Sequence, residues 1–293
     1  MHPELIYAIL AVFSFTGAGF FMRSLTRVTS PLWTNAFKTA LAAFAFVIAF
    51  AATGAPGIEA MKLSSLLLLM ASGLIGLSAA DWFLLNAYHR MGTARTIMVY
   101  RFQPLYLALI AFLTLGQTLN RRQSCAILLL ISCILILSHE QKTKQGQWDF
   151  KGLLIALAGM VLDGSGIILT RLSFDLSPGL PSNLANLVRM ATAGIAFALW
   201  AQVRPIGLLP RFLALSTQHQ LVAVVGSLLG TFVGLSLWLK AVQLAPNVAS
   251  IAAVGGLSPV IAVFIEAVLE KKWPSNHAVM ALGVSLAGFI LLL

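Results

Sequence analysis

Residues 94–115 read ARTIMVYRFQPLYLALIAFLTL, with Val99-Tyr100-Arg101-Phe102-Gln103-Pro104-Leu105 at their centre. The run is otherwise apolar and long enough to cross the roughly 30 Å hydrocarbon core of a bilayer, which puts Arg101 inside it. A charged side chain near a bilayer centre costs at least about 2.5–3.5 kcal/mol, so it faces a polar interior and marks a pathway. Pro104 removes a backbone donor and breaks the helix, which is tolerated where neighbouring helices or a cavity take up the freed carbonyl. A second break of the same kind, Ala253-Val254-Gly255-Gly256-Leu257-Ser258-Pro259-Val260, stands 155 residues on. Two matched broken helices predict a transporter built from repeats, with Pro104, Gly255, Gly256 and Pro259 as its hinges.

The composition agrees. Of 293 residues 59% are hydrophobic and only 10% charged, against roughly a quarter charged in soluble domains, and the mean hydropathy is +0.92. Apolar runs near 20 residues long predict spanning helices, and the lack of alternating ten-residue segments argues against a barrel. The formal charge of +10 is no nucleic-acid signature. Lys and Arg stand mostly singly in short connections and at helix ends, where membrane interfaces favour them. Cys125 and Cys133 share one apolar segment, which suits two buried thiols better than a disulfide or a metal site. The start, His2-Pro3-Glu4, has no positive n-region, so no signal peptide is expected.

Ten spans are predicted, at residues 5–22, 32–52, 64–87, 94–115, 124–138, 151–170, 183–203, 219–239, 248–269 and 276–293. The most polar connection lies near the midpoint and divides the chain into a first five-helix repeat at 1–138, a linker at 139–150 and a second repeat at 151–293. The halves match in order. Gly17-Ala18-Gly19 matches Gly164-Ser165-Gly166 and Ser30-Pro31 matches Ser177-Pro178 at an offset of 147. Asn35-Ala36-Phe37-Lys38 then matches Asn186-Leu187-Val188-Arg189 at 151, and Pro104 matches Pro259 at 155. Five spans per half is an odd number, so the second half enters the membrane the other way round. The fold class expected is therefore an all-α integral membrane protein of about ten transmembrane helices in two inverted five-helix repeats.

Charges within the spans are few and mirrored. At 1.5 Å per residue, Lys38, Asp81 and Arg101 lie roughly 9–11 Å below the face opposite the chain start, while Asp163 and Arg189 lie at a similar depth from the other face. Each half thus has a candidate ion pair, Asp163 with Arg189 in the second. The five charges sum to +1, which leaves a cation for a substrate carboxylate or phosphate. Asn35 is three residues from Lys38, Asn183 and Asn186 step by three towards Arg189, and Tyr100 is three from Gln103. Each set is expected to form a polar stripe facing inward. The candidate substrate-binding residues are accordingly Asn35, Lys38, Asp81, Tyr100, Arg101, Gln103, Asp163, Asn183, Asn186 and Arg189. Gly226, Gly230 and Gly234 form a small-xxx-small ridge, read as helix packing.

The chain resembles the drug/metabolite transporter superfamily, in particular its EamA-type ten-helix exporters. The resemblance rests on the five-plus-five pattern, on Ala241-Val242-Gln243-Leu244-Ala245-Pro246 before the ninth span and Leu257-Ser258-Pro259 within it. It also rests on Leu115-Gly116-Gln117 and Leu269-Glu270-Lys271 before the last span of each half. Two positions depart from the pattern: Phe15-Thr16-Gly17 stands where such proteins often carry tryptophan, and Gln117 replaces the usual glutamate. The resemblance implies a central cavity lined by the first four helices of each half, with the fifth and tenth outside, and termini in the cytoplasm. Charge counting points the other way. Connections on the side of the termini carry five Lys and Arg, those on the opposite side eleven, and the positive-inside rule puts the richer side in the cytoplasm.

The function expected is secondary transport. The protein would export a small metabolite, such as an amino acid or organic anion, by alternating access through a central cavity. It would lie in the inner cell membrane as a multi-pass protein, with a small-molecule substrate, a coupled ion, no nucleic-acid partner and no cofactor, and a monomer would suffice. The alternative is a membrane-embedded lipid-modifying enzyme, with Asp81 or Asp163 as base, or a translocator of lipids or anionic metabolites. Neither catalytic nor metal residues are assigned. The histidines lack ligand spacing, and no HExxH, phosphate loop or nucleophile elbow is present.

Overall fold

The computed structural model describes residues 2–25, 27–54, 56–91, 96, 99–100, 102–129, 131–132, 149–203, 205–258, 261 and 276–292, and every regular element among them is helical. In chain order these are α1 (Pro3–Leu25), α2 (Pro31–Ala52), α3 (Leu63–Met91), α4 (Gln103–Leu115), α5 (residues 121–129) and α6 (Phe150–Leu176). There follow α7 (Ser182–Val203), the short α8 (Leu208–Ala214), α9 (Thr217–Leu244), α10 (Val248–Leu257) and α11 (Asn276–Leu292). Six of them, α1, α2, α3, α6, α7 and α9, are long and apolar enough to cross a membrane. They fall on the first three predicted spans of each half. The protein is an all-α, multi-pass membrane protein.

Local chemistry sets the helix ends. Ser30 Oγ accepts from Trp33 N at 3.2 Å with Pro31 next to it, so α2 starts with a capped donor and a residue that needs none. Gly116, at φ +62°, closes α4 in the left-handed region. Gln117 then reaches across: its Oε1 accepts from Val248 N at 3.1 Å, while Asn247 Oδ1 accepts from Ala249 N and Ser250 N. The glutamine that departs from the expected glutamate thus satisfies the start of α10, tying the fourth helix of one half to the other half.

Helices cannot gain hydrophobic energy by leaving lipid for one another, so close packing by small residues carries their association. A Cβ on Gly166 of α6 would lie 2.9 Å from Gly76 Cα of α3, and one on Gly73 would collide with Arg189 O of α7. The ridge Gly226, Gly230 and Gly234 of α9 receives Met22, Ala18 and Phe15 of α1. Large apolar side chains such as Phe44, Ile48, Leu199 and Trp200 point outward, where the lipid lies.

The third helix of each half opens into a π segment, Gly73–Ala79 in α3 and Leu228–Gly234 in α9, both of seven residues. The second follows the first by the 155 residues that also separate Pro104 from Pro259, so the repeat is written in backbone geometry as well as in sequence. A π turn leaves carbonyls without their usual donors. Side chains supply donors here: Asn35 Nδ2 donates to Leu77 O at 3.3 Å and Ser78 O at 3.4 Å, Ser14 Oγ to Leu229 O at 2.6 Å, and, one residue past the second segment, Asn186 Nδ2 to Leu235 O at 3.0 Å.

The expected breaks take a different form. Pro104 kinks no continuous span; a turn at Phe102 precedes it, and it sits in the first turn of α4, where its missing N–H is needed by nothing. Gly255–Leu257 tighten into a 3₁₀ turn after the α-helical Val248–Val254. Pro259 lies outside the described residues. Cys125, expected to be buried, is exposed on α5, because the apolar environment of that helix face is lipid; Cys133 lies outside the described residues.

Candidate functional site

A cavity of about 400 Å³ is lined by side chains of both halves. Its walls are largely apolar, with Phe15 of α1 set edge-on to Trp238 of α9 at 6.2 Å between ring centroids. Into it reach Lys38, Asp81, Tyr100, Gln103, Asp163 and Arg189, six of the ten candidate binding residues. Pro104, Gly255 and Gly256 also line it, while Arg101 lies outside the described residues. A concave apolar chamber with a few convergent polar groups is the usual form of a small-molecule site.

The charges are held as follows. Lys38 Nζ donates to Asp81 Oδ2 at 2.5 Å, both side chains about one-fifth exposed, at 19% and 20%. That pair forms as the mirrored depths suggested. The pair expected in the second half does not. Asp163 Oδ2 accepts from Gln103 Nε2 at 2.6 Å, and Arg189 Nε donates to Ser72 Oγ at 2.9 Å. Gln103 reaches Asp163 because the turn at Phe102 brings the first turn of α4 against α6, where Tyr106 OH also lies 2.7 Å from Ser165 Oγ. Arg189 is held towards α3 by the close approach at Gly73 and is only 2% exposed.

Three candidates lie elsewhere. Asn35 and Asn186 are fully buried and do not line the cavity; their amides are engaged by the π segments. An inward polar stripe fitted them equally well, but the freed carbonyls have the prior claim. Asn183 is exposed in the first turn of α7. Six residues of helix rotate a side chain by about 600°, so Asn183 points some 120° away from Arg189 despite the three-residue steps.

Sequence reading passed over Ser72. Its Oγ lies 2.7 Å from Gly166 O and 2.8 Å from Thr170 Oγ1 besides accepting from Arg189, joining α3, α6 and α7 at one point. The signal was present, since Ser227 repeats Ser72 at the offset of the two prolines. The expected exclusion of the fifth helix also needs correction: Ile127 and Ile131 of the fifth segment line the cavity and pack with Leu5, Val12, Leu107 and Ile251.

In fold the chain is similar to a solved structure described only as a crystal structure of a protein, with a TM-score of 0.80 at 15% sequence identity over 98% of this chain and 95% of that one. No curated protein matches the sequence. The model of the EamA-like transporter family matches residues 2–139 and 150–293, one segment for each half. Because those two segments cover nearly the whole chain, the chain belongs to the EamA-like transporter family.

Proposed function

We propose that the protein is a secondary transporter of the inner cell membrane that exports a small metabolite, an amino acid or organic anion, by alternating access through the central cavity. The observation that carries this reading is the cavity of about 400 Å³ with Lys38, Asp81, Tyr100, Gln103, Asp163 and Arg189 converging on it from both halves. Charged groups are kept within a membrane protein only where they serve a pathway or a partner. The repeats, 1–138 and 151–293 joined by the linker at 139–150, rock against each other; the breaks at Phe102–Pro104 and Gly255–Leu257 and the two π segments are where the backbone yields. Lys38 and Asp81 act as a latch on one face of the cavity. No nucleotide-binding loop is present in the sequence, so the driving force is the substrate gradient or a coupled ion.

The test is counterflow. Purified protein in liposomes is loaded with amino acids, nucleobases and organic acids in turn, and exchange of labelled compound is followed. Exchange of at least one class, abolished when the Lys38–Asp81 latch is locked by a cysteine cross-link, is the expected result. Absence of exchange for every compound, together with a chemical product from any of them, would replace the transporter with the enzyme reading.

A further inference from the structure

The two halves differ at the charge that matters most. Lys38 and Arg189 occupy the same repeat position, 151 residues apart, and the helices that follow them carry the π segments 155 apart. In the first half the acid that neutralises Lys38 is Asp81, two residues beyond Ala79, the last of the π segment. The same step beyond Gly234 gives Ser236, whose Oγ merely donates back to Phe232 O at 2.8 Å. Arg189 therefore lacks an acid in contact; Asp163 and Asp81 act on it only at a distance. Among the described residues it makes no ion pair; Nε donates to Ser72 Oγ, and the buried Nη1 has no hydrogen-bond partner. Asp163, the other acid in the cavity, is engaged by Gln103.

A guanidinium 98% removed from solvent, with one neutral acceptor and an orphaned N–H, is an expensive arrangement. A ligand oxyanion would offset it, because an arginine fork matches a carboxylate or phosphate in geometry as well as charge. We infer that Arg189 is the anchor for an oxyanion group of the transported molecule, the substrate itself supplying the counter-charge that Asp81 supplies to Lys38. This inference rests on the transport reading for the word substrate, but binding at Arg189 can be measured without transport. The cargo class that follows is a small molecule carrying a carboxylate or phosphate, seated between Arg189 and the aromatic wall of Phe15 and Trp238. Compounds in which that group is an amide are poor cargo.

The experiment pairs each acid with its carboxamide. Wild type, Arg189→Lys, Arg189→Gln, Ser236→Asp and Ser236→Asn are purified in neutral detergent. Thermal stabilisation is measured with amino acids, dicarboxylates, the matching carboxamides, inorganic phosphate and a short-chain phosphatidylglycerol, the last to separate a lipid headgroup from a free oxyanion. Counterflow is then measured in phosphatidylcholine liposomes. Stabilisation of wild type and Arg189→Lys by at least one free oxyanion is expected, at least tenfold weaker for its amide. It should be lost in Arg189→Gln, lost in Ser236→Asp where a built-in acid takes the guanidinium, and kept in Ser236→Asn. Ser236→Asp leaves Arg189 in place, so the test stands even where Arg189→Gln fails to fold. Equal stabilisation by acid and amide, retention in folded Arg189→Gln or in Ser236→Asp, response only to the lipid, or no response to any oxyanion overturns the inference. Oxyanion-specific binding without counterflow keeps the anchor and removes the transport reading; counterflow indifferent to acid or amide does the reverse.

Discussion

Ser72 and Ser227 hold the same position in the two repeats, yet Ser72 Oγ meets Gly166 O, Thr170 Oγ1 and Arg189 Nε, while the buried Ser227 Oγ has no partner among the described residues. The asymmetry follows from Lys38, which is drawn to Asp81, whereas Arg189 has no such acid and turns to the serine. Ser72→Ala removes the acceptor of a buried guanidinium and is expected to cost about 1.5–3 kcal/mol, the range for hydrogen bonds to charged groups. Ser227→Ala removes an unsatisfied hydroxyl and should be neutral or stabilising. Thermal melting of both variants in detergent decides it; equal losses would contradict the assignment.

Asn35 donates one amide to two carbonyls of the first π segment, so Asn35→Ala leaves buried acceptors unpaired at about 1–3 kcal/mol. The exposed Asn183 is the control, and Asn183→Ala should fall within about 0.5 kcal/mol of wild type. Substrate affinity in folded Asn35→Ala should be unchanged, since the side chain does not line the cavity. A selective loss of affinity with stability intact would return Asn35 to the binding site.

Much of this was legible in the sequence because membranes enforce simple rules. Length and apolarity set the spans of α1, α2, α3, α6, α7 and α9, and the cost of burying charge pointed Lys38, Asp81, Asp163 and Arg189 to the cavity. Partner choice was not legible. Depth along a span fixes one coordinate of a side chain, while pairing also needs the rotation of each helix and its distance from the next. Gln103 won Asp163 because a turn at Phe102 repositions α4, and nothing in helical periodicity announces that turn. Nor does periodicity announce a π segment. It shifts every later residue of α3 and α9 by a fraction of a turn and creates the carbonyls that claimed Asn35 and Asn186.

Gly166 faces Gly76 so closely that a Cβ would meet backbone at 2.9 Å, whereas a Cβ on Gly194 of α7 would meet nothing within 4 Å. Gly166→Ala must push α6 from α3 and should cost about 1–3 kcal/mol as overpacking. Gly194→Ala, in open space inside a helix, should gain up to about 1 kcal/mol from propensity. Opposite signs in the two melting shifts are the expected result; a shared sign would show that α3 and α6 are not seated on these glycines.

Asp149 precedes α6 and accepts from Arg90 Nε at 2.9 Å and from Lys151 N at 3.0 Å. The hydrogen bond from Arg90, followed by backbone donors at the helix start, holds its carboxyl below the usual carboxylate range. A carboxyl depressed in the folded state contributes stability above its unfolded value near 4, and that contribution is lost as the pH falls through the folded value. Wild type should therefore lose melting temperature more steeply than Asp149→Asn below about pH 4. The difference should shrink in high salt, as exposed charges are screened. Parallel acid limbs for the two proteins would show that the Arg90 contact does not form in solution.

The Lys38–Asp81 latch makes the last prediction, because its 2.5 Å contact joins α2 to the turn of α3 that leaves the π segment. A partly buried pair is worth more to break than to replace: removing one member strands a charge, whereas removing both leaves two neutral groups. Asp81→Asn and Lys38→Gln should each destabilise the protein by about 1.5–3 kcal/mol. The double variant should recover at least about 1 kcal/mol of their sum, the coupling expected of residues in direct contact. Transport separates latch from scaffold. If the pair must open and close in each cycle, the double variant regains stability but exchanges substrate with altered rate, since one state has lost its closing contact. A double variant that regains stability and exchanges at the wild-type rate would mark Lys38–Asp81 as a structural tie, and the proposed movement would then fall to the π segments, the start of α4 and the end of α10.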